Sequence, residues 1–367
     1  MTMRTYFLFI PIALILGGCF DSSTTKPEAI GTSGRINIVI PPGLKSSETG
    51  KLIDSIFTQE ATVFPRDEQL FNVGFVDPMA VNRSQKSMRN LVFVFTFDDN
   101  SPEAAKVKSL ITPASLDMLR NDTDGFVITR SDVFARGQEV MYLYGPDKAT
   151  LTARIRENAG RLTGFFNEKE KLRVQKRILK SSANLKLAES LAKKYGITIK
   201  VPFGYQLADQ QEDFLWLRQI NPADDKDVWV ARRKYRGTDD FRQENLIAYR
   251  NSVCRKYLFE DPEEPDTYLV TETGVSYKPV TTRTINFNGL YAVEIKGLWK
   301  TNIPSMGGPF MGYAMVDETN GYLYYIEGFT FSPAKPQREI MRELEVILNT
   351  FRPFQTEETP EKPAAKS

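Results

Sequence analysis

Acid–base chemistry in a chain without histidine needs paired carboxylates. Glu294 and Glu327, each set in an apolar stretch of the carboxyl-terminal third, are the residues that could supply it. If their strands were neighbours, carboxyls at about 5–9 Å could serve as the acid and the base or nucleophile of a glycosidase-type site. None of the 367 residues is histidine. Its absence excludes Ser-His-Asp and Cys-His catalysis and ordinary zinc sites, and leaves no side chain whose unperturbed pKa is near neutral. No catalytic residue is therefore assigned, and Glu294 and Glu327 stand as candidates only.

Binding chemistry has more material. Trp299, Tyr313, Tyr324 and Phe329 fall in neighbouring strand-like stretches, where rings could stack a sugar or an apolar ligand, although rings on strands ordinarily build core. Met306-Gly307-Gly308-Pro309 could expose backbone N–H groups to an anion, but it lacks the Lys and Ser/Thr of a phosphate loop and opens no helix. A bulge or tight corner is the favoured reading. Asp122-Thr123-Asp124-Gly125 has the middle of a calcium loop, yet Arg120 and Ser131 stand where its carboxylate ligands belong, so no metal is expected. Asp98-Asp99-Asn100-Ser101-Pro102 reads as a strand exit with capping residues. Cys254, on a helical stretch with no histidine to activate it, reads as a small buried hydrophobe.

The address is clearer than the reaction. Arg4, the apolar run 6–16 and Gly17-Gly18 form a signal peptide over residues 1–18. Leu16-Gly17-Gly18-Cys19 looks like a bacterial lipobox, which predicts a mature chain lipidated at Cys19 and held to a membrane by two or three acyl chains. Phe20, instead of an Asp at that position, favours the outer membrane. With 48 Lys and Arg against 46 Asp and Glu the charges nearly cancel, and no basic block suggests nucleic acid. Cys254 is the only other cysteine, so the mature chain has no internal disulfide.

The elements that must position these residues follow from pattern. Residues 19–33 read as a flexible tether and 354–367 as a disordered tail. Residues 34–166 form an N-terminal unit with strands at 35–40, 70–76, 91–97, 125–129 and 139–144 and helices after Ser46 and Asp147. Leu91 to Phe97, apolar almost throughout, is a central strand buried on both sides. Residues 167–195 read as a charged connecting helix, whose Lys and Arg alternate with apolar positions as on a solvated face. In the C-terminal unit, 196–353, Gly196 to Gly204 echoes Gly34 to Gly43, a weak hint of duplication. Paired strands at 213–220 and 227–235, a helix after Thr238 and strands at 268–271, 281–287, 291–299, 309–316 and 322–331 follow, closed by a helix from Pro336. Asn320-Gly321 predicts a type I′ hairpin.

At Gly297-Leu298-Trp299, Met306-Gly307-Gly308-Pro309-Phe310 and Glu327-Gly328-Phe329, followed by the helix through Arg338 and Leu344, the chain resembles a family of Bacteroidetes-type lipoproteins known only as a domain of unknown function. The likeness runs from about Arg35 to Pro353. It implies a lipobox, an envelope location and an α+β body, and brings no activity. The second half also resembles PsbP-type domains, a likeness of fold that carries no function. The expectation is an α+β protein of mostly antiparallel sheet with packed helices. It would be anchored through Cys19 and act as a binding or assembly module for an envelope protein or glycan, without cofactor. The rival is a histidine-free hydrolase of an envelope glycan.

Overall fold

The computed structural model describes residues 26–353 apart from 62, 123, 181–183, 222–223, 259–265 and 304. The signal peptide, Cys19 and the tail therefore lie outside the described residues. The fold is α+β.

The N-terminal unit runs β1 (Arg35–Val39), α1 (Pro42–Lys45), α2 (Glu48–Thr58), β2 (Asn72–Val76), α3 (Arg83–Lys86), β3 (Asn90–Thr96), α4 (Pro102–Lys108), α5 (Pro113–Asn121), β4 (Val127–Ser131), β5 (Glu139–Gly145), α6 (Lys148–Glu157) and α7 (Ala159–Ile178). Its sheet has the order β2-β1-β3-β5-β4, parallel except for β4. Parallel neighbours need crossover connections, and these bring helices onto both faces. Strand β3 is accordingly buried along its whole length. Val92 and Val94 point to α2, α6 and α7 with Phe57 and Phe166, while Phe93 and Phe95 point to α4 and α5 with Val107 and Leu119. Helices α4 and α5 were not foreseen in the sequence, though both carry a start signal. Ser101-Pro102 and Thr112-Pro113 each place a capping hydroxyl before a proline, and the hydroxyls accept from Ala104 N (3.2 Å) and Ser115 N (3.4 Å).

The C-terminal unit contains α8 (Leu185–Tyr195), β6 (Ile197–Thr198), β7 (Gln206–Gln210), β8 (Phe214–Asn221), β9 (Asp224–Lys234), α9 (Gln243–Tyr257), β10 (Leu269–Glu272), β11 (Thr281–Phe287), β12 (Leu290–Thr301), β13 (Gly307–Asp317), β14 (Tyr322–Phe331), α10 (Arg338–Leu348) and β15 (Arg352–Pro353). Its eight-stranded sheet, β10-β12-β13-β14-β9-β8-β7 with β11 also on β12, is antiparallel throughout. Alternation along each strand sends Val293, Ile295, Trp299, Phe310 and Tyr325 toward α9. Ala292, Met311, Tyr313, Tyr324 and Ile326 go toward α8 and α10.

Four expectations are corrected. The halves are not repeats, since one sheet is mostly parallel and the other wholly antiparallel; only Ile197–Thr198 of the expected strand 196–204 pairs, with β15. The connecting helix is two helices: α7 packs into the N-terminal core through Phe166, and α8 into the C-terminal core through Leu191 and Tyr195. The tether is shorter than 19–33, because Ala29 N donates to Arg136 O (2.9 Å) and Ile30 bridges Met88, which docks its last residues on the N-terminal unit. The β13–β14 connection is a four-residue loop in which Gly321 alone is left-handed (φ 67°), with Asp317 Oδ1 accepting from Asn320 N at 3.2 Å. Asp317 competes for the turn donors and lengthens it beyond the two-residue form.

The units are clamped through α10, whose first turn has no cap from its own segment. Glu68 of the N-terminal unit supplies one, its two carboxylate oxygens accepting from Gln337 N (2.6 Å) and Arg338 N (2.9 Å). An anion at the helix N-terminus also suits the helix dipole. Ala61 and Phe64, from the same loop, enter the core beneath α10. Lys278 pairs with Glu60 and Asp67, and Lys171 of α7 with Glu345 of α10. No helix of the described residues is long and apolar enough to cross a membrane.

Candidate functional site

Glu294 and Glu327 do not form a site. They point to opposite faces of the sheet with β13 between their strands. Glu327 is fully buried and held by Arg250 of α9 in a two-point contact, Nε to Oε2 at 2.8 Å and Nη2 to Oε1 at 2.7 Å. Tyr325 OH donates to Oε2 (2.9 Å) and Trp229 Nε1 to Oε1 (3.3 Å). Arg250 Nη1 donates to Thr271 Oγ1 (3.1 Å), and its guanidinium lies 4.0 Å from the centre of the Phe310 ring. Burial pushes the Glu327 carboxyl upward and Arg250 pulls it back. With its oxygens occupied and no path to water, Glu327 organises the core and has no face left for a substrate. Glu294, toward α10, is spent on Arg283 (3.0 Å) and Lys296 (3.1 Å).

The aromatic candidates are divided in the same way. Tyr313 and Tyr324 are core residues on the α10 face. Trp299 and Phe329 are core residues on the α9 face, in edge contact at 5.4 Å, with Trp299 Nε1 donating to Thr330 O at 3.3 Å. Gly307 and Gly308 open β13 and form no ligand loop. A Cβ on Gly308 would sit 2.1 Å from Thr330 O, so glycine is there to let strand and carbonyl approach.

Met306, Trp299 and Phe329 nevertheless share a small cavity of about 30 Å³ with Trp216, Phe331, Arg218 and Asp227. That is room for a water or so. Asp227 sits in β9 with its side chain almost wholly buried, and its Oδ1 accepts from Trp216 Nε1 (2.9 Å) and faces Arg218 Nε at 3.2 Å. Burial raises its carboxyl to about 7, against the pull of Arg218 and the indole. The sequence signal was an Asp inside the alternation Asp227-Val228-Trp229-Val230, at a position that faces inward.

The better-formed concavity joins the two units. A cleft of about 160 Å³ is walled by Val63, Phe64 and Leu70 of the N-terminal loop, Pro309 and Met311 of β13 and Met341 of α10. Lys296, Arg338, Arg342 and Glu345 also line it. Arg342 reaches Asn167 Oδ1 of α7 at 3.3 Å, and Arg338 Nη1 donates to Gln69 O at 2.6 Å. The interior is thus apolar and sulfur-rich, its charges already engaged with the protein. Sequence reasoning missed it because its walls come from segments more than 200 residues apart, none of them unusual alone.

The remaining candidates keep structural roles. Asp99 Oδ1 accepts from Ser101 N (2.9 Å) and Asp147 from Thr150 N (2.8 Å). Cys254 is buried beside Arg250, and burial lifts its thiol to about 12. Among the described residues no group of three or more His, Cys, Asp or Glu is placed to hold a metal ion.

Residues 29–179 match the family model of one domain of unknown function, DUF8532, and residues 184–350 that of another, DUF4837. No curated protein matches the chain. Among solved structures, a point mutant of the protein Mog1 is 10% identical with a TM-score of 0.28. The Saccharomyces cerevisiae Ran-binding protein Mog1p is 10% identical with a TM-score of 0.30. Each match covers 44% of this chain and 92% of the other, and at such scores neither likeness carries an argument. The chain is therefore matched in order by two domains of unknown function, as an uncharacterised family would be.

Proposed function

We propose that this chain is a lipid-anchored cell-envelope protein, held through Cys19 on the outer membrane, and that its body is an assembly module seating an apolar side chain of an envelope protein in the cleft between its units. The carrying observation is the cleft itself, apolar within and built jointly by the loop at Phe64, β13 and α10. Its 160 Å³ falls short of the roughly 300–1,000 Å³ of small-molecule sites. One anchoring side chain suits it better than a glycan, whose hydroxyls would meet few free polar groups. The opposed orientations of Glu294 and Glu327 leave the hydrolase reading without its acid–base pair.

A photoreactive residue at Val63, in the full chain in its native membrane, tests the binding role, with Lys51 as an exposed control. The reading expects one discrete protein adduct at Val63, none at Lys51, and its loss when Met341→Glu places a charge in the cleft. A glycan adduct, or equal capture at Lys51, overturns it. Palmitate label should disappear in Cys19→Ala, and label retained there overturns the anchor.

A further inference from the structure

A second surface has a different chemistry. Along the outer side of α7 runs a broad groove of about 790 Å³ lined by Arg173, Lys176, Arg177, Leu179, Lys180 and Lys200, with no acidic side chain among the described residues of its wall. Lys176, Lys180 and Lys200 are exposed. Arg173 is paired with Glu170 (2.7 Å), and Arg177 reaches Glu343 at 3.4 Å, an acid it shares with Lys226 at 2.8 Å. Lys176, Lys180 and Lys200 have no ion pair among the described residues. Three such cations in one concavity repel one another, and they persist where an anionic surface neutralises them.

Two neighbouring features say which anionic surface. Phe203, three residues after Lys200, is 79% exposed, and Ile220, at the end of β8, is 68% exposed. Gln219 Nε2 donates to Phe203 O at 3.3 Å, which holds Phe203 on the α10 side of the β8–β9 hairpin, while Ile220, by alternation, points to the other side. Basic groups beside a protruding apolar side chain are the composition of an interfacial membrane-binding face, where cations meet headgroup phosphates and the apolar tip enters the acyl boundary. A soluble anion would need no such tip. The second feature is the route of the N-terminal segment. Lys26 Nζ donates to Asp132 O (2.7 Å), and Arg173, at the head of the groove, donates to Gly137 O (3.0 Å) at the other end of the same loop. Six residues lie between Cys19 and Lys26, seven chain steps with a reach of at most about 25 Å. A lipid on Cys19 would hold this edge of the protein close to the bilayer.

We propose that Lys176, Arg177, Lys180 and Lys200, with Phe203, form a docking face for an anionic lipid bilayer, which fixes the orientation of the anchored protein on its membrane. The assignment of a bilayer rests in part on the anchor at Cys19. The test therefore removes the lipid, so that failure of the face and failure of the anchor are read separately.

The full chain carrying Cys19→Ser is sedimented with vesicles of phosphatidylcholine alone or with three-tenths phosphatidylglycerol, alongside the palmitate labelling that tests the anchor. The expected result is binding to the anionic vesicles that falls steeply with salt. It should fall at least tenfold in Lys176→Glu/Lys180→Glu/Lys200→Glu and several-fold in Phe203→Ser. A control reversal at Lys51, Lys148 and Lys193 should retain it, with unfolding midpoints measured for every variant. Equal binding to neutral vesicles, or equal loss in the control reversal, overturns the proposal. So does a groove reversal that binds as before, or a protein that binds inorganic phosphate in the groove but no vesicle.

Discussion

The two sheets solve burial in opposite ways. The N-terminal sheet is covered by helices on both faces, and its strand interiors bury no charge; its buried ionic network, Asn90 with Glu170 and Arg173, sits at the start of β3. The C-terminal sheet carries charges in mid-strand, Asp227 in β9, Glu294 in β12 and Glu327 in β14, each with an assigned cation. A sheet of the first kind tolerates a polar loss at its rim. One of the second kind depends on particular pairs, because an orphaned buried charge costs far more than the pair itself contributes. Trp216, Trp229 and Trp299, the chain's three tryptophans, all lie in the C-terminal unit, so their fluorescence reports on that unit while circular dichroism reports on both.

The largest effect is expected from Arg250→Ala. It leaves Glu327 buried and unpaired, and should lower stability by about 3–5 kcal/mol in urea unfolding followed by tryptophan fluorescence. Arg250→Met/Glu327→Met should recover most of the loss; if it does not, the pair contributes more than mutual compensation and the contrast between the sheets must be redrawn.

Next is the pH dependence set by Asp227. Its folded carboxyl titrates near 7 against an ordinary value of 3.8, so between these the folded state holds a proton that the unfolded chain has lost. Stability from this group is full below about pH 4 and drains away as pH rises through 7, each pKa unit being worth about 1.4 kcal/mol. Asp227→Asn should flatten that slope and be relatively more stable at pH 8. An unchanged slope would mean that Arg218 keeps the carboxylate ionised throughout.

Glu68→Ala removes the cap that one unit lends to the other. A cost of about 1–2 kcal/mol is expected, with the fluorescence and dichroism transitions separating. Coincident transitions would show that the apolar contacts of Phe64 suffice to couple the units. The smallest effect is Asp147→Ala, at about 1 kcal/mol, from the lost cap of α6. Combined with Glu68→Ala it should shift the dichroism transition alone.

Much of this was legible from pattern. β1, β3 and β5, the β8–β9 hairpin, β11 to β14 and the stripe of α10 all declare themselves through period and bounding turn residues. Parallel pairing does not, because a strand buried on both faces reads the same whichever way its neighbour runs; the helix starts at Ser101-Pro102 and Thr112-Pro113 would have implied the crossovers. The site was hardly legible at all. Trp299 and Tyr324 looked like a surface because sequence shows a ring without its covering helix, and Glu327 looked available because Arg250 is 77 residues away. The cleft depends on Phe64 crossing into a core assembled mostly from residues beyond 190.

The position of α10 in the chain has a consequence in time. The helix that takes its cap from Glu68 and covers β13 and β14 is almost the last element to emerge from the ribosome, about 150 residues after the C-terminal unit begins, or roughly 8–30 s of synthesis at about 5–20 residues per second. Until it arrives, the core that Phe64 enters is open on one side and the sheet over β13 and β14 is bare. A chain cut short before Arg338 would leave a finished first unit joined to an adhesive second one, so a holdase that shields Met311, Tyr313 and Ile326 should matter most for the newest copies.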